Sequence, residues 1–126
     1  MKKVIRADKA PKPIAPYSQA VRSGDFLFLS GMTGVDPKSG KVVEGGVRAE
    51  TRKTLENIKA VLEESGLTLE DVAKVTVFLK NIADFKEFNE AYSEFFESDY
   101  PARTTVQATP PGTGVVEIEV VASASR

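Results

Sequence analysis

The sequence predicts an α+β sandwich in which two helices cover one face of a mixed β-sheet. Strand-like and helix-like segments interleave in the order β-β-β-α-β-α-β-β within 126 residues, which suits a single domain over 1–126. Apolar residues recur at helical spacing in two of these segments. Several strands are apolar on both sides, so two helices leave part of the sheet uncovered.

Three strands are predicted before the first helix. They are rich in β-branched or aromatic residues and are bounded by turn residues: KVIRA (3–7), QAVRS (19–23) and FLFLS (26–30). Gly24-Asp25 separates the last two strands by two residues, which is the spacing of a tight β-hairpin. The segment KAPKPIAPYS (9–18) carries three prolines and is predicted to run extended along the surface.

Two amphipathic helices are predicted, over 47–65 and 83–97. The apolar stripe of the first recurs every three or four residues: Thr51, Leu55, Ile58 and Leu62. The stripe of the second is aromatic: Phe85, Phe88, Tyr92, Phe95 and Phe96. Gly66 ends the first helix, and a further helical turn is expected near 69–71.

The remaining strands are predicted over 74–80, 104–108 and 115–124, the last two joined by the turn TPPGTG. Alternate residues of the strand at 26–30 are large and apolar on both sides: Phe26 and Phe28 opposite Leu27 and Leu29. Since no segment is left to bury the second face, we expect sheet-to-sheet self-association into a homo-oligomer. The alternative is a sheet curled into a small barrel.

Composition limits the chemistry more than the fold. The absence of cysteine and histidine excludes disulfides, thiolate nucleophiles, zinc–sulfur sites, histidine metal sites and Ser-His-Asp triads. The formal net charge of −1 and the dispersed Lys and Arg argue against a nucleic-acid partner. The sequence shows neither a signal-peptide pattern nor a membrane-spanning stretch, so we expect a cytoplasmic protein with no membrane partner.

Arg103 follows Tyr100-Pro101-Ala102, just before a run of threonine and valine that is expected to be a strand. A guanidinium offers a planar, two-pronged grip on a carboxylate and stays charged when it is partly desolvated. Arg103 is therefore a candidate for binding a small anion. The residues alone leave open an ion pair between Arg103 and a neighbouring glutamate at a strand edge.

Other polar residues occupy positions that need an explanation. Glu117 and Glu119 lie two apart in the last strand and share one face, where paired carboxylates can do acid–base work or merely face solvent. Asn89 falls within the aromatic stripe of the second helix, so its amide braces a neighbouring backbone or reaches a ligand. Ser30-Gly31 ends a strand at a residue that lets a ligand approach closely, or makes a plain turn.

Five motifs, in order and spacing, resemble those of the Rid family of reactive-intermediate deaminases, also called YjgF-like or endoribonuclease L-PSP proteins: PYSQA, FLSG, TVFLKNIADFKEFNEAY, PAR and VEIE. The resemblance runs over essentially the whole chain. It implies a chorismate-mutase-like sandwich and a homotrimer whose sheets form a central barrel, with active sites between subunits. It implies no metal and no organic cofactor, which agrees with the missing cysteine and histidine.

The resemblance also implies the site residues. Arg103 matches the arginine that clamps the substrate carboxylate, and Glu117 matches the glutamate that holds or activates the attacking water. Tyr17 of PYSQA is the third catalytic residue. The further substrate-binding residues are Ser30, Gly31, Asn89 and Thr105. The implied reaction is hydrolysis of 2-iminobutanoate or 2-iminopropanoate, released by PLP-dependent enzymes, to a 2-oxo acid and ammonia.

Two positions depart from the family pattern: Met32 lies where glutamine is common, and Thr105 lies where many members carry cysteine. We expect both to border the pocket and to affect substrate range. Two rival functions remain. One is an RNA-cleaving translation inhibitor, against which the lack of a basic track and of an aromatic stacking platform argues. The other is a non-enzymatic trimer that senses small carboxylates or acts like a chaperone.

Overall fold

The computed structural model describes residues 1–124. Six strands form one sheet: β1 (Lys3–Ile5), β2 (Ala20–Ser23), β3 (Phe26–Leu29), β4 (Val72–Leu79), β5 (Ala102–Gln107) and β6 (Val116–Ser123). Two α-helices and two 3-10 turns complete the fold: α1 (Gly46–Glu64), α2 (Phe85–Ser93), Leu69–Asp71 and Ile82–Asp84. The order of strands and α-helices is the predicted one.

The sheet is mixed, as predicted, with the strand order β1-β2-β3-β6-β4-β5. Strands β4 and β5 run parallel, joined through α2, and the other neighbouring pairs are antiparallel. Gly24 takes a φ of 60° in the hairpin between β2 and β3, a conformation that glycine adopts without strain. Because β1 and β5 remain edge strands, the sheet formed by residues 1–124 does not close into a barrel.

Both helices pack on the same face of the sheet. The alternate residues Val116, Ile118 and Val120 of β6 are nearly or fully buried, as are Val75 and Val77 of β4. They form one core with apolar residues of the helices: Leu55, Ile58, Val61 and Leu62 of α1, and Phe88 and Tyr92 of α2. Full burial of one such side chain contributes roughly 1.5–3 kcal/mol, so the helix-facing side of the sheet holds the domain together.

The opposite face of the sheet is uncovered in the described chain. Phe26 and Phe28 are each 47% exposed, whereas their neighbours Leu27 and Leu29 are 0% and 5% exposed. Val106 of β5 is also exposed. The prediction of strands that are apolar on both sides is therefore confirmed, and residues 1–124 of a single chain bury only one of the two sides.

Most element boundaries differ from the prediction by one or two residues, and two of the differences bear on the candidate site. The helix predicted over 83–97 ends at Ser93, after which the N–H groups of residues 94–96 donate to carbonyls three residues back, in a tighter turn. Strand β5 begins at Ala102, because parallel pairing with β4 already starts at Lys74 and Ala102. Arg103 is therefore the second residue of a strand and does not precede it.

The outer surfaces of the helices are polar. Arg48 pairs with Glu90 at 2.6 Å and Arg52 pairs with Glu94 at 2.8 Å, which links α1 to α2 and to the residue that follows it. These side chains are 42–49% exposed, and exposed pairs of this kind contribute little to stability. No helix within residues 1–124 is both long enough and apolar enough to cross a membrane.

Candidate active site

Arg103 lies on the helix-facing side of β5. It pairs with Val75 of β4, whose side chain is 1% exposed and packs in the core under the helices. Its Nη2 donates a hydrogen bond to the Asn89 Oδ1 of α2 at 2.8 Å. Asn89 thus braces the arginine, which accounts for an amide in an otherwise aromatic stripe.

Aromatic rings surround the same guanidinium. The Arg103 Cζ lies 4.8 Å from the ring centre of Tyr92, 5.4 Å from that of Phe88 and 5.6 Å from that of Phe85. Cation–π attraction over these rings stabilises the charge without neutralising it. None of the carboxylates in residues 1–124 forms an ion pair with Arg103, so the strand-edge ion pair considered above is absent from the described chain.

A cavity of about 270 Å³ opens beside the guanidinium, lined by Asn89, Tyr92, Ser93, Tyr100, Pro101 and Arg103. Burial raises the pKa of the Tyr92 hydroxyl, and the positive charge of Arg103 partly offsets that rise. The hydroxyl is buried and makes no well-aligned hydrogen bond within residues 1–124, although the Arg103 guanidinium lies close enough to interact with it. The cavity wall therefore combines one fixed positive charge with apolar rings, which suits a small anion with a short hydrocarbon body.

Thr105 follows on the same face as Arg103, since it pairs with the fully buried Val77. Its hydroxyl is buried and has no hydrogen-bond partner in the described part of the chain. Met32, in contrast, is 7% exposed and belongs to the hydrophobic core. The backbone bridge to Ile118 directs the Met32 side chain inward, while its backbone lies next to Glu117; that Met32 borders a pocket and affects substrate range stays a prediction.

A second cluster forms around Glu117 on the other side of the sheet. The Met32 N–H donates to the Ile118 carbonyl at 2.8 Å and the Ile118 N–H donates back to Met32 at 2.9 Å. This bridge brings Gly31 against the Glu117 side chain, so closely that a Cβ at Gly31 would come within 2.8 Å of the Glu117 Cδ. Only glycine fits at position 31 while the Glu117 carboxylate keeps this position.

Ser30 and Tyr17 lie beside this cluster. The Ser30 Oγ donates to the Ser18 carbonyl at 2.7 Å, and the Ser30 N–H donates to the Gln19 carbonyl at 3.0 Å. Tyr17 precedes Ser18 and is 50% exposed, so its ring is available to a ligand or to a second chain. Ser30 and Gly31 thus connect Glu117 to the segment that carries Tyr17.

The electrostatic surroundings of Glu117 suit a proton acceptor. Burial raises the pKa of its carboxyl, and the negative charge of Glu119 raises it further. A carboxylate whose pKa is raised accepts a proton more readily at neutral pH than an ordinary glutamate does. Within residues 1–124, no three acidic side chains gather closely enough to hold a metal ion.

The two groups lie on opposite faces of the sheet. Glu117 pairs with Phe78, which alternates with the buried Val77 and points to the uncovered face. Arg103 pairs with Val75 and points to the helices. One chain therefore brings Arg103, Asn89 and Thr105 together, and separately Ser30, Gly31 and Glu117, with Tyr17 joined to the second set through Ser18, but it does not bring the two sets together.

Sequence reasoning missed two contributions to these groups. The first is the set of rings around Arg103, which the spacing of Phe85, Phe88 and Tyr92 on one helical stripe could have revealed together with Asn89. The second is Glu50 of α1, which is only 6% exposed and accepts a hydrogen bond from the Val115 N–H at 2.7 Å. The sequence feature that could have revealed Glu50 is its position next to Thr51, which belongs to the apolar stripe of α1.

The chain is similar to known proteins over nearly its whole length. The model of the family described as endoribonuclease L-PSP matches residues 7–124. A RutC family protein of Pyrococcus horikoshii is 50% identical over 123 residues, which cover 97% of this chain and 98% of that protein. A 2-iminobutanoate/2-iminopropanoate deaminase of Dermatophagoides farinae is 43% identical over 121 residues, or 95% of this chain and 94% of that one.

A solved structure shows the same fold. The crystal structure of E. coli TdcF with bound serine superposes with a TM-score of 0.93 at 38% identity, covering 98% of this chain and 99% of that one. The predicted α+β sandwich is thereby confirmed. The chain belongs to the endoribonuclease L-PSP family, the Rid family that its five motifs resemble.

Proposed function

We propose that this protein hydrolyses small 2-imino acids, 2-iminobutanoate and 2-iminopropanoate, to the corresponding 2-oxo acids and ammonia. The observation that carries the proposal is the set of groups around the Arg103 guanidinium. Its guanidinium is braced by Asn89 and by three aromatic rings, yet no carboxylate of residues 1–124 pairs with it. An arginine held in place without its own counter-ion is prepared to bind the carboxylate of a ligand.

The relatives agree with this substrate class. A protein 43% identical to this chain is named a 2-iminobutanoate/2-iminopropanoate deaminase, and TdcF, 38% identical, was crystallised with serine. Both ligands are small acids with a nitrogen at C2. The combination of Arg103 and a cavity of about 270 Å³ suits the same carboxylate and a short side chain here.

In the proposed reaction, Arg103 binds the substrate carboxylate while Asn89 and Thr105 flank it. Glu117 accepts a proton from a water molecule as the water oxygen adds to C2 of the protonated imine. The resulting carbinolamine carries a hydroxyl and an amino group on C2. Glu117 returns the proton to the amino nitrogen, the C–N bond breaks, and ammonia leaves with the electron pair. The hydroxyl then passes its proton to the departing ammonia, so the products are the 2-oxo acid and an ammonium ion.

This chemistry needs little besides positioning. A protonated imine is already electrophilic, so orienting it towards a directed water supplies most of the required rate. The raised pKa of Glu117 matches its role as an acceptor and donor of the same proton. Tyr17, Ser30 and Gly31 complete the water side of the proposed site.

The proposal includes a homotrimer with sites between subunits. Arg103 and Glu117 lie on opposite faces of one sheet, so a complete site needs the Arg103 group of one chain and the Glu117 group of another. The exposed Phe26 and Phe28 offer the apolar surface on which such copies can pack. A trimer is the closed ring that the family resemblance implies.

A coupled assay tests the function directly. A threonine dehydratase generates 2-iminobutanoate, and the decay of the imine is followed with and without this protein. We expect faster release of 2-oxobutanoate and ammonia at catalytic concentrations of the protein. An unchanged decay rate at micromolar protein would exclude the deaminase and leave a carboxylate-binding trimer as the better account of Arg103.

A further inference from the structure

The glutamine of the PYSQA segment has no part in the proposed reaction, yet hydrogen bonds hold its side chain from several directions. Gln19 is 4% exposed. Its Oε1 accepts from the Ala7 N–H at 2.7 Å. Its Nε2 donates to the Pro11 carbonyl at 2.8 Å and to the Ala7 carbonyl at 3.1 Å, with a longer bond of 3.5 Å to Ala10. One buried amide thus ties residues 7–11 to the beginning of β2.

The backbone of the same residue reaches the Glu117 group. The Gln19 carbonyl accepts from the Ser30 N–H at 3.0 Å, and the preceding Ser18 carbonyl accepts from the Ser30 Oγ at 2.7 Å. Ser30 is followed by Gly31, which lies against Glu117. Gln19 therefore stands between the N-terminal segment and the strand end that carries Ser30 and Gly31.

The chain between these two attachments carries Tyr17. Its residues are poorly packed: Ile14 is 97% exposed and Tyr17 is 50% exposed. The Tyr17 N–H makes one local bond, to the Ala15 carbonyl at 2.8 Å. Since core packing does not hold this stretch, its position depends on the two ends, near Pro11 and near Ser18, that Gln19 brings together.

We propose that Gln19 is a positioning residue of the group formed by Tyr17, Ser30 and Glu117. Its side chain holds residues 7–11 in place, its backbone holds Ser30, and together they set where Tyr17 stands relative to Glu117. The catalytic part of this inference rests on the proposed imine hydrolysis. The positional part concerns the hydrogen bonds of Gln19 alone.

The role requires an amide. A glutamine offers an acceptor and two donors on one planar group, whereas an ionised glutamate of the same shape has no donor. In Gln19→Glu, a carboxylate oxygen would face the carbonyls of Ala7, Ala10 and Pro11 inside the protein. Burial and these carbonyl dipoles would raise the pKa of the introduced carboxyl. Once protonated, it regains one donor, so acid should partly restore the attachment.

The test compares Gln19→Glu with Gln107→Glu, the other glutamine of the chain. Gln107 is exposed, and its Oε1 accepts from the Ile82 N–H at 2.9 Å, which a carboxylate can also do. At neutral pH we expect Gln19→Glu to keep its assembly while kcat/KM for imine hydrolysis falls on the order of 10–100-fold. The kcat/KM of Gln19→Glu, divided by that of the parent at the same pH, should rise again as the pH falls towards about 5, where a carboxyl with a raised pKa becomes protonated. Gln107→Glu should match the parent.

Amide hydrogen exchange provides a readout independent of activity. At neutral pH, the Ser30 N–H, which is bonded to the Gln19 carbonyl, should exchange faster in Gln19→Glu than in the parent. In acid, this difference in exchange rate between the variant and the parent should become smaller. Gln19 borders a second cavity, and the charged side chains that line this cavity are Arg6, Asp8 and Lys12. The parent carries the same three groups, so a comparison with the parent at each pH removes their contribution.

Each outcome decides the question. Parental kcat/KM, or parental exchange of the Ser30 amide at neutral pH, would overturn the positioning role. An activity loss that is equal at every pH would also overturn it, because such a loss does not follow the charge of residue 19. If the parent itself hydrolyses no imine, the proposed function fails, and Ser30 exchange alone decides whether Gln19 positions this group.

Discussion

At the scale of single residues, the candidate site consists of groups whose properties are set by their neighbours. Arg103 keeps its charge unpaired because rings and an amide surround it where a carboxylate could have stood. Glu117 has a raised pKa because it is partly buried beside the like charge of Glu119. The two environments differ in what they favour: that of Arg103 favours binding of an anion, and that of Glu117 favours binding of a proton.

Arg103→Lys should abolish most of the imine hydrolysis. Lysine keeps the charge and can still lie over the rings, but it lacks the two-pronged donor geometry that a carboxylate needs. We expect a loss of about 2–5 kcal/mol in transition-state binding, the range for removing one partner of a buried charge pair. Steady-state kinetics measure the loss, and calorimetry with 2-oxobutanoate should show a parallel loss of binding.

Arg22→Lys is the matched control, since the hydrogen bond that Arg22 makes within residues 1–124 is an exposed one, from its Nε to the Gly24 carbonyl at 3.3 Å. It should behave like the parent. Full activity of Arg103→Lys would show that the guanidinium does not bind the substrate. Lost activity together with lost assembly would instead assign Arg103 a structural role.

Glu117→Gln should bind 2-oxobutanoate almost normally but hydrolyse imines slowly. The raised pKa gives the sign of the pH dependence: the carboxyl is protonated and inactive below its pKa, so kcat/KM in the parent should rise as the pH increases through that value. This acid limb should disappear in Glu117→Gln. The pH profile of kcat/KM, divided by the spontaneous rate at each pH, is the measurement.

Glu119→Gln provides the comparison two residues away on the same face. Removing the Glu119 charge removes one cause of the raised Glu117 pKa, so the acid limb should move to lower pH while full activity is kept at neutral pH. An acid limb that persists unchanged in Glu117→Gln would show that another group titrates.

At the scale of elements, α1 holds both segments that flank the Glu117 group. Glu50 accepts from the Val115 N–H at 2.7 Å, just before β6 begins. Asn57, 2% exposed, donates from its Nδ2 to the Thr33 carbonyl at 3.1 Å and to the Val35 carbonyl at 2.8 Å. The helix approaches so closely that a Cβ at Gly34 would lie 2.9 Å from the Glu50 Cα. Two buried polar side chains thus fix the strand ends at which Gly31 and Glu117 meet.

Glu50→Gln should raise stability at neutral pH. Burial raises the pKa of Glu50, and the hydrogen bond from Val115 opposes this only partly. The folded protein therefore binds the proton more tightly than the unfolded chain, so parental stability should fall as the pH rises from about the unfolded pKa of glutamate through the folded pKa. A glutamine keeps the acceptor without the charge.

Urea denaturation between pH 4 and 8, at one protomer concentration, measures this effect. The advantage of Glu50→Gln over the parent should be present at pH 7–8 and shrink in acid. Glu56→Gln, at an exposed position of the same helix, should show no such pattern. A variant that is less stable than the parent at every pH would mean that the Glu50 charge has a compensating partner.

At the scale of the whole molecule, we expect the uncovered face of the sheet to set the oligomeric state in solution. It exposes Phe26, Phe28 and Val106, whereas the other face is a packed core. It also carries Glu117, so in the proposed trimer the same contact between chains would cover this face and complete the site. Because Arg103 lies on the opposite face, a monomer would hold only half of the proposed site.

Light scattering at micromolar concentration should give about three times the 13.6 kDa mass of one chain. Phe28→Asp should reduce this mass and abolish hydrolysis, because it places a charge on the apolar contact surface. Lys59→Asp, on the exposed outer side of α1, should do neither. A folded parent of monomeric mass would refute both the trimer and the site shared between subunits.

The sequence by itself determined the elements and much of the candidate site. Alternation around Glu117 predicted its face, and helical spacing predicted the stripes of both helices, because these patterns depend only on the period of the local backbone. The motifs around Arg103, Glu117 and Tyr17 carried the family resemblance. Element boundaries were predicted less accurately: Arg103 lies within β5 because a strand distant in sequence, β4, extends the pairing to Ala102.

Only the tertiary structure decided which of these residues meet. The separation of Arg103 and Glu117 onto opposite faces follows from the registers Val75–Arg103 and Phe78–Glu117, which join strands far apart in the chain. The burial of Met32, the bond from Val115 to Glu50 and the bonds of Gln19 to residues 7–11 have the same origin. Local periodicity carries no information about pairing between distant segments. That pairing is set by the packing of the whole chain.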